Sequence, residues 1–433
     1  MRALLVLPVA WVCFGVNFAL ALPVTQKSLS APKAASTVAS PADQAYQRAL
    51  QALTADQLKA AEQAFEDSLK QAPNSAKAML GLAEIAFRNG KLEPAGTWIQ
   101  RAIQAEPDSS AAYASLGRYH ALNGKSYEAE MALVKAAELD SHAVRPRIDL
   151  GDLLSSQGRL PGAVKFYQEV LSIEPQHAGA HYALGIALAR QGDKAKALLE
   201  LERAASLEPG NPLPQLGLAR VHAGANDRDK ALAALDKALA RQPSLVDALM
   251  LQGDLLDAKG LTAQATQSYR KAAAAAPKAA FPHLKIAMLA QRQGETEQAV
   301  SSYKKAIAIN PKQAVAYNNL AALALALESK HDLPQALAWA RMAVELEPNV
   351  ADYHDTLGWT LRASGNQEDG LTSLKKAAQL APQNPEILYH LGVLYTESGD
   401  KRMAIKTLTQ ALAASNHFSS AAQAEKLLKT MSP

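Results

Sequence analysis

Small and apolar residues recur along this chain with a period of 34 residues. Proline marks the phase at Pro73, Pro107, Pro175, Pro209, Pro243, Pro277 and Pro311, and Ser141 fills the one skipped place. The next marker, Pro348, comes three residues late; Pro382 resumes the step and Asn416 closes the series. Ten residues past each marker stands Gly or Ala, from Ala83 and Gly117 to Gly358 and Gly392. A second small column runs from Ala95 to Ala404, broken only by Gly370, and a third runs from Ala102 to Ala411, with Val170 its largest member. Small residues in register are what two closely crossing helices require. Gly90, Gly124, Gly158, Gly192, Gly260, Gly294, Gly365 and Gly399 each follow the first column by seven residues. Glycine there takes the left-handed conformation that ends a helix. The pattern predicts eleven units over 42–418, each a helix, a glycine turn, a second helix and a proline-marked turn.

The prolines check this assignment independently. Pro94, Pro161 and Pro334 fall at the expected start of a second helix. Pro146, Pro212, Pro214, Pro282 and Pro385 fall at or just before the start of a first helix. None needs a helix interior, where it would cost about 3 kcal/mol. The extra three residues fall within Leu327-Glu-Ser-Lys-His-Asp-Leu333 and should lengthen that turn or the end of the helix before it. Residues 419–433 read as a capping helix and a short tail.

Only now does composition add something. The chain is 48% hydrophobic but 5% aromatic, with Ala dominant, which favours helix. The formal charge of +4 is spread without a basic block, so nucleic acid is not an expected partner. The one cysteine, Cys13, leaves the repeats without a disulfide or thiol chemistry. Met1 to Ala21 reads as a signal peptide: Arg2, an apolar run, then Ala19-Leu20-Ala21 as a small-x-small cleavage site. An uncleaved N-terminal anchor is the alternative. The run is short for a membrane span and holds Pro8, so no intrinsic span is expected after cleavage. Residues 22–41, rich in Ala, Ser and Pro, read as a flexible linker. The expected location is therefore the periplasm or the outside of the cell.

Aromatic-x-x-Leu-Gly, then Ala, then Leu or an aromatic, then Ala, at this spacing resembles the tetratricopeptide repeat. Tyr113, Leu116, Gly117, Ala129, Leu133 and Ala136 carry the pattern in one unit, and Leu388, Leu391, Gly392, Tyr395, Ala404, Leu408 and Ala411 in another. Unit one keeps mainly Ala49, Ala61, Phe65 and Pro73. The resemblance implies an all-α, right-handed superhelical solenoid whose first helices line a concave groove. It further implies that the fifth and ninth residues of each repeat face inward.

Two groups of side chains then stand out. One is Asn318, Asp355, Trp359 and Tyr389, with Asn319 and Arg362 nearby; the other is Arg118, Asp152, Tyr182, Arg220 and Asp254, with Ile148, Ile186 and Met250. Aromatic residues and arginine are common binding anchors. The histidines read as packing or surface residues: His181, His283 and His354 in one column, His120 and His222 in another, His177 in a turn. Asp149 and Asp152 read as solvated helix-surface acids. No metalloprotease, phosphate-loop, thiol or serine-nucleophile motif occurs, so neither catalysis nor a cofactor or metal is expected. The resemblance implies a scaffold for other envelope proteins or peptides, similar to exported repeat proteins of exopolysaccharide synthesis and export or protein sorting. The alternative is direct capture of polysaccharide or peptidoglycan on Trp359 and Tyr389.

Overall fold

The computed structural model describes residues 40–327, 332–415 and 417–431. The signal-peptide reading and nearly all of the linker reading lie outside these residues. Those described form helices and turns only, in two compact bodies that divide between Arg241 and Gln242.

The first body holds six helix pairs: α1 (Pro41–Thr54) with α2 (Leu58–Gln71), α3 (Ala76–Arg88) with α4 (Leu92–Ala105), α5 (Ser110–Leu122) with α6 (Ser126–Leu139), α7 (Val144–Ser156) with α8 (Leu160–Ile173), α9 (Ala178–Gln191) with α10 (Lys194–Leu207), and α11 (Leu213–Gly224) with α12 (Arg228–Arg241). The second holds five more: α13 (Val246–Ala258) with α14 (Thr262–Ala275), α15 (Ala280–Gln293) with α16 (Thr296–Ile309), α17 (Ala314–Ala326) with α18 (Leu333–Leu346), α19 (Ala351–Ala363) with α20 (Gln367–Leu380), and α21 (Pro385–Glu397) with α22 (Lys401–Ala414). A last helix, α23 (Ala421–Met431), packs on α22 and buries Ala424 and Met431. The array is thus an all-α repeat solenoid.

The small columns explain why the pairs close. Ala95, Ala129, Ala163, Ala197, Ala231, Ala265, Ala299, Ala336 and Ala404 are all 0% exposed, as is every member of the third column from Ala102 through Val170 to Ala411. At the Gly/Ala column the helices come closer still. A β-carbon on Gly151 would lie 2.4 Å from the Tyr167 ring, and one on Gly117 2.5 Å from Leu133. The large member of each pair sits sixteen residues on and is buried: Leu133, Tyr167, Leu201, Tyr269, Leu374 and Leu408. Deleting such a side chain leaves a cavity worth about 2–5 kcal/mol.

All eight turn glycines have φ between 68° and 91°. Asp56 (φ 56°) and Asn226 (φ 59°) hold the same left-handed turn in two units that lack glycine. Each stands 34 residues from a turn glycine, and Asn and Asp tolerate this region best after Gly. Prolines inside helices are confined to the first three positions, where no intrahelical donor is lost.

Two details refine the sequence reading. Pro41 is the first residue of α1, capped by the Ser40 hydroxyl accepting from the Asp43 amide, so the helix starts one residue before the expected boundary. The three-residue expansion falls between α17, which ends at Ala326, and α18, which begins at Leu333.

Within each body successive first helices touch: α1 through α11 in the first, and α17, α19 and α21 in the second. No comparable approach joins successive second helices among the described residues. First helices therefore form the more crowded, inner face of each body. Among the described residues no helix is long and apolar enough to cross a membrane.

Candidate functional site

The residues singled out in the second body separate into two assemblies. Asp355, Trp359 and Arg362 follow one another along α19 at spacings of four and three, so they share one helix face. Tyr389 lies on the adjoining α21, and beside it stands His390, which the sequence reading passed over. The imidazole stacks on the Trp359 indole with centroids 4.1 Å apart and planes at 23°. The Arg362 guanidinium lies 4.3 Å from the same indole and makes a two-pronged contact with Glu397 at 2.5–3.0 Å. His390 Nδ1 donates to both Asp355 oxygens at 2.9 and 3.0 Å. Tyr389 meets His390 at 5.7 Å and Phe418 at 6.5 Å.

Burial and charge act on this cluster together. Burial disfavours a charged imidazole, but the Asp355 carboxylate, by attraction and hydrogen bonding, more than offsets it, with help from Glu386. The His390 pKa is therefore raised above the ordinary histidine value. Asp352, one turn from Asp355, has its own pKa raised by burial and then by the Asp355 charge. Trp359, Arg362, Tyr389 and His390 remain half-buried, with part of each open to solvent. The Trp359 indole already carries an imidazole and a guanidinium, so it is less an open platform than a ring held in a stack.

Asn318 and Asn319 do not join this cluster. The Asn318 amide donates to Asn319 Oδ1 (3.2 Å), Asn319 Nδ2 donates to the Tyr303 hydroxyl (2.8 Å), and that hydroxyl donates to Gln291 Oε1 (2.6 Å). Asn318 is only 6% exposed, which corrects its reading as a groove contact. Its fifth position in α17 points it into packing because α17 is buried by apolar neighbours on most sides. Asn318 Oδ1 has no hydrogen-bond partner.

The other group, from Arg118 to Asp254, spans the division between the bodies: Arg118, Asp152, Tyr182 and Arg220 belong to the first and Asp254 to the second. Several of these residues serve the fold. Arg118 pairs with Glu84 of the preceding first helix at 2.5 Å and lies over the Phe87 ring. Asp152 accepts from the Tyr167 hydroxyl and Asp254 from that of Tyr269, each at 2.7 Å. Lys285 approaches Asp254 at 2.8 Å. Tyr182 and Arg220 are likewise engaged in polar or ring interactions. The reading of Asp149 and Asp152 as plainly solvated is corrected. Burial raises both, and Asp152 reaches about 6 with Asp149 adding to the rise.

Of the histidines, His177 caps α9 by accepting from the Ala180 amide at 3.0 Å. His181 bridges Glu200 (2.6 Å) and the Pro175 carbonyl (3.1 Å), and His354 reaches the Pro348 carbonyl (2.9 Å). A signal for the missed residues did exist. Asp355 with His390, Arg362 with Glu397, and Asp257 with Arg292 are all 35 residues apart, so complementary groups one repeat apart meet on adjoining first helices.

A helix-pair solenoid with polar and aromatic groups on adjoining first helices defines a repeat scaffold. Tetratricopeptide repeat models match residues 52–118, 216–280, 178–211 and 385–418, and a TPR repeat model matches 151–192, 291–328 and 358–399. The chain belongs to the tetratricopeptide repeat family, whose members generally mediate protein–protein interactions as scaffolds. Solved structures similar to it include the Cut9–Hcn1 hetero-tetramer of APC/C, at 15% identity over 91% of this chain and 97% of that one (TM-score 0.45). A repeat protein from Parabacteroides merdae matches at 19% identity over 57% and 97% (TM-score 0.45). YrrB, described as having an unusual peptide-binding site, matches at 22% identity over 43% and 95% (TM-score 0.36). No curated protein matches the chain.

Proposed function

We propose that this chain is a non-enzymatic adaptor of the bacterial cell envelope that holds a segment of a partner protein along the first helices of its second body. The observation that carries the reading is the partly exposed assembly of Trp359, Arg362 and Tyr389, backed by the largely covered Asp355 and His390, on α19 and α21. It offers aromatic surface, a cation and hydrogen-bonding groups within one small area, the mixture found at binding anchors. The envelope assignment rests on Arg2, the apolar run after it and Ala19-Leu20-Ala21. Exopolysaccharide synthesis and export, or protein sorting, are the pathways in which the adaptor would serve.

The test compares wild type with Trp359→Ala/Tyr389→Ala in a pull-down from envelope extract, with circular dichroism and a purified-glycan binding assay alongside. Both rings also pack beside Leu391, Leu394 and Leu408, so Arg362→Ala, which spares the apolar cluster, is run as a second variant. Lost protein capture with retained helicity supports the adaptor. Lost glycan binding instead would move the reading to polysaccharide or peptidoglycan capture. Unchanged capture by all variants would refute the location. Mass spectrometry of the mature N-terminus should find Leu22 first; a cytosolic product retaining Met1 would refute export.

A further inference from the structure

The charges of the second body are sorted between its two helix rows. Its five first helices carry seven carboxylates against three Lys or Arg, and its five second helices carry four against ten. The first helices of the first body have the opposite bias, with eight Lys or Arg against four carboxylates. The acidic excess is thus a property of one face of one body and not of the chain's composition.

Position along the helix shows that the carboxylates of each acidic helix share one face. Asp247, Asp352 and Glu386 are each the second residue of their helix; Asp355 is a fifth, Asp254 a ninth, Asp257 a twelfth and Glu397 a thirteenth. At about 100° per residue these places fall within an arc of roughly 120°. The carboxylates lie on α13, α19 and α21; between them α15 carries only Lys285 and Arg292, and α17 carries no charge. Lys285 of α15 pairs with Asp254 of α13, Arg292 with Asp257, and Arg362 of α19 with Glu397 of α21. Each of the three cations is therefore already committed to a carboxylate, and the face keeps a net negative charge. The helix dipole favours an acid in the first turn and accounts for the three second-position residues. It does not account for Asp254, Asp257 or Asp355, and it disfavours Glu397 at the end of α21.

We infer that the first-helix face of the second body selects a basic, extended peptide segment, with Lys or Arg side chains meeting the carboxylates of α13, α19 and α21. The inference rests on the adaptor reading and adds the chemistry of the partner. Neighbouring helices pack about 8–10 Å apart, a span that an extended chain covers in about three residues. Cations about three residues apart therefore match α19 and α21, and α13, three first helices away, is met about nine residues further along. Asp355, held by His390 Nδ1 at 2.9 Å, fixes one point of the row, and Asp352 and Glu386 flank it.

The experiment uses the full chain and three fluorescently labelled peptides of one length, with Lys, Gln or Glu at every third position in an Ala/Ser background. Anisotropy at low salt should show the Lys peptide binding at least about tenfold more tightly than the other two. Its advantage should fade at ~1 M salt, where the Debye length falls to about 3 Å. Asp247→Asn/Asp352→Asn/Glu386→Gln should weaken the Lys peptide at least about fivefold and leave the Gln peptide unchanged. Carbodiimide coupling of the Lys peptide to wild type, mapped by mass spectrometry, removes dependence on the variant's folding: adducts should concentrate on the α13, α19 and α21 carboxylates. Equal binding of the three peptides, or adducts spread over the second helices, overturns the inference. So does coupling between two copies of the chain that the Lys peptide fails to displace. If envelope proteins are captured through Trp359 and Tyr389 yet all three peptides compete equally, the charge selection falls and the adaptor reading stands. A blank pull-down with tight, mapped Lys-peptide binding would have the reverse meaning.

Discussion

Gly151→Ala probes one of the closest approaches in the first body. The new methyl would lie 2.4 Å from Tyr167 Cε1 and 2.8–2.9 Å from two more ring atoms. Tyr167 is only 2% exposed, and its hydroxyl is bound to Asp152 at 2.7 Å, so the ring has little room to withdraw. Overpacking of this kind costs about 1–3 kcal/mol. Disturbing a hydrogen bond to a carboxylate adds about 1.5–3 kcal/mol if the bond is lost. Against this, Ala in place of Gly within a helix gains about 1 kcal/mol. The expected result is a net destabilisation of about 2 kcal/mol, felt first as faster amide exchange in α7 and α8. Gly224→Ala is the control: it ends α11, nothing lies within 4 Å of its added β-carbon, and it should be neutral or slightly stabilising. Urea unfolding followed by circular dichroism, with native-state hydrogen exchange, reads both. Equal stability of Gly151→Ala and wild type would refute the argument from close approach. The same register elsewhere holds Ala287 and Tyr303, both fully buried, so such slack is a concrete alternative.

Three further outcomes are expected. Asn226→Gly, at φ 59°, should raise the melting temperature by relieving a conformation that costs an L-residue about 1–2 kcal/mol, whereas Gly260→Ala at φ 76° should lower it; matching melts would show that neither turn is strained. Ala265→Leu, at a 0% exposed crossing, should cost about 1–3 kcal/mol, and a melt like wild type would show that the column is loosely packed. Because the folded pKa of His390 is raised, its contribution is fully present below the ordinary value of 6.5 and is lost as pH rises through the folded value. Exchange protection of α19 and α21 should therefore fall on the alkaline side of 6.5 in wild type but not in Asp355→Asn; parallel profiles would refute the pairing.

The helix pairs were legible because their cause is periodic. Ala95 to Ala404 are small for one reason, repeated every unit, and Gly90 to Gly399 mark one turn geometry. The binding residues were less legible because position within a repeat does not say which neighbour a side chain will reach. Asn318 and Asp355 hold the same place in their units, yet Asn318 turns into an amide–tyrosine chain and Asp355 to His390. The difference arises from the adjoining unit, which supplies His390 to one and Tyr303 with Gln291 to the other. Asp152 shows the same effect: its neighbour Gly151 lets Tyr167 come close enough to bind it, a contact invisible in the acid's own spacing.

Among the described residues, the helices in close contact within each body lie one or two steps apart along the chain. Contact order is correspondingly low, so folding can begin in any pair and spread outward without first closing a long loop. Heredity can use the same property. A gene duplication or deletion of one whole 34-residue unit changes the length of the binding row while leaving each crossing within a unit intact and altering contacts only at the new junction. The number of repeats is then a dimension that selection can adjust away from the junctions that hold the recognition residues.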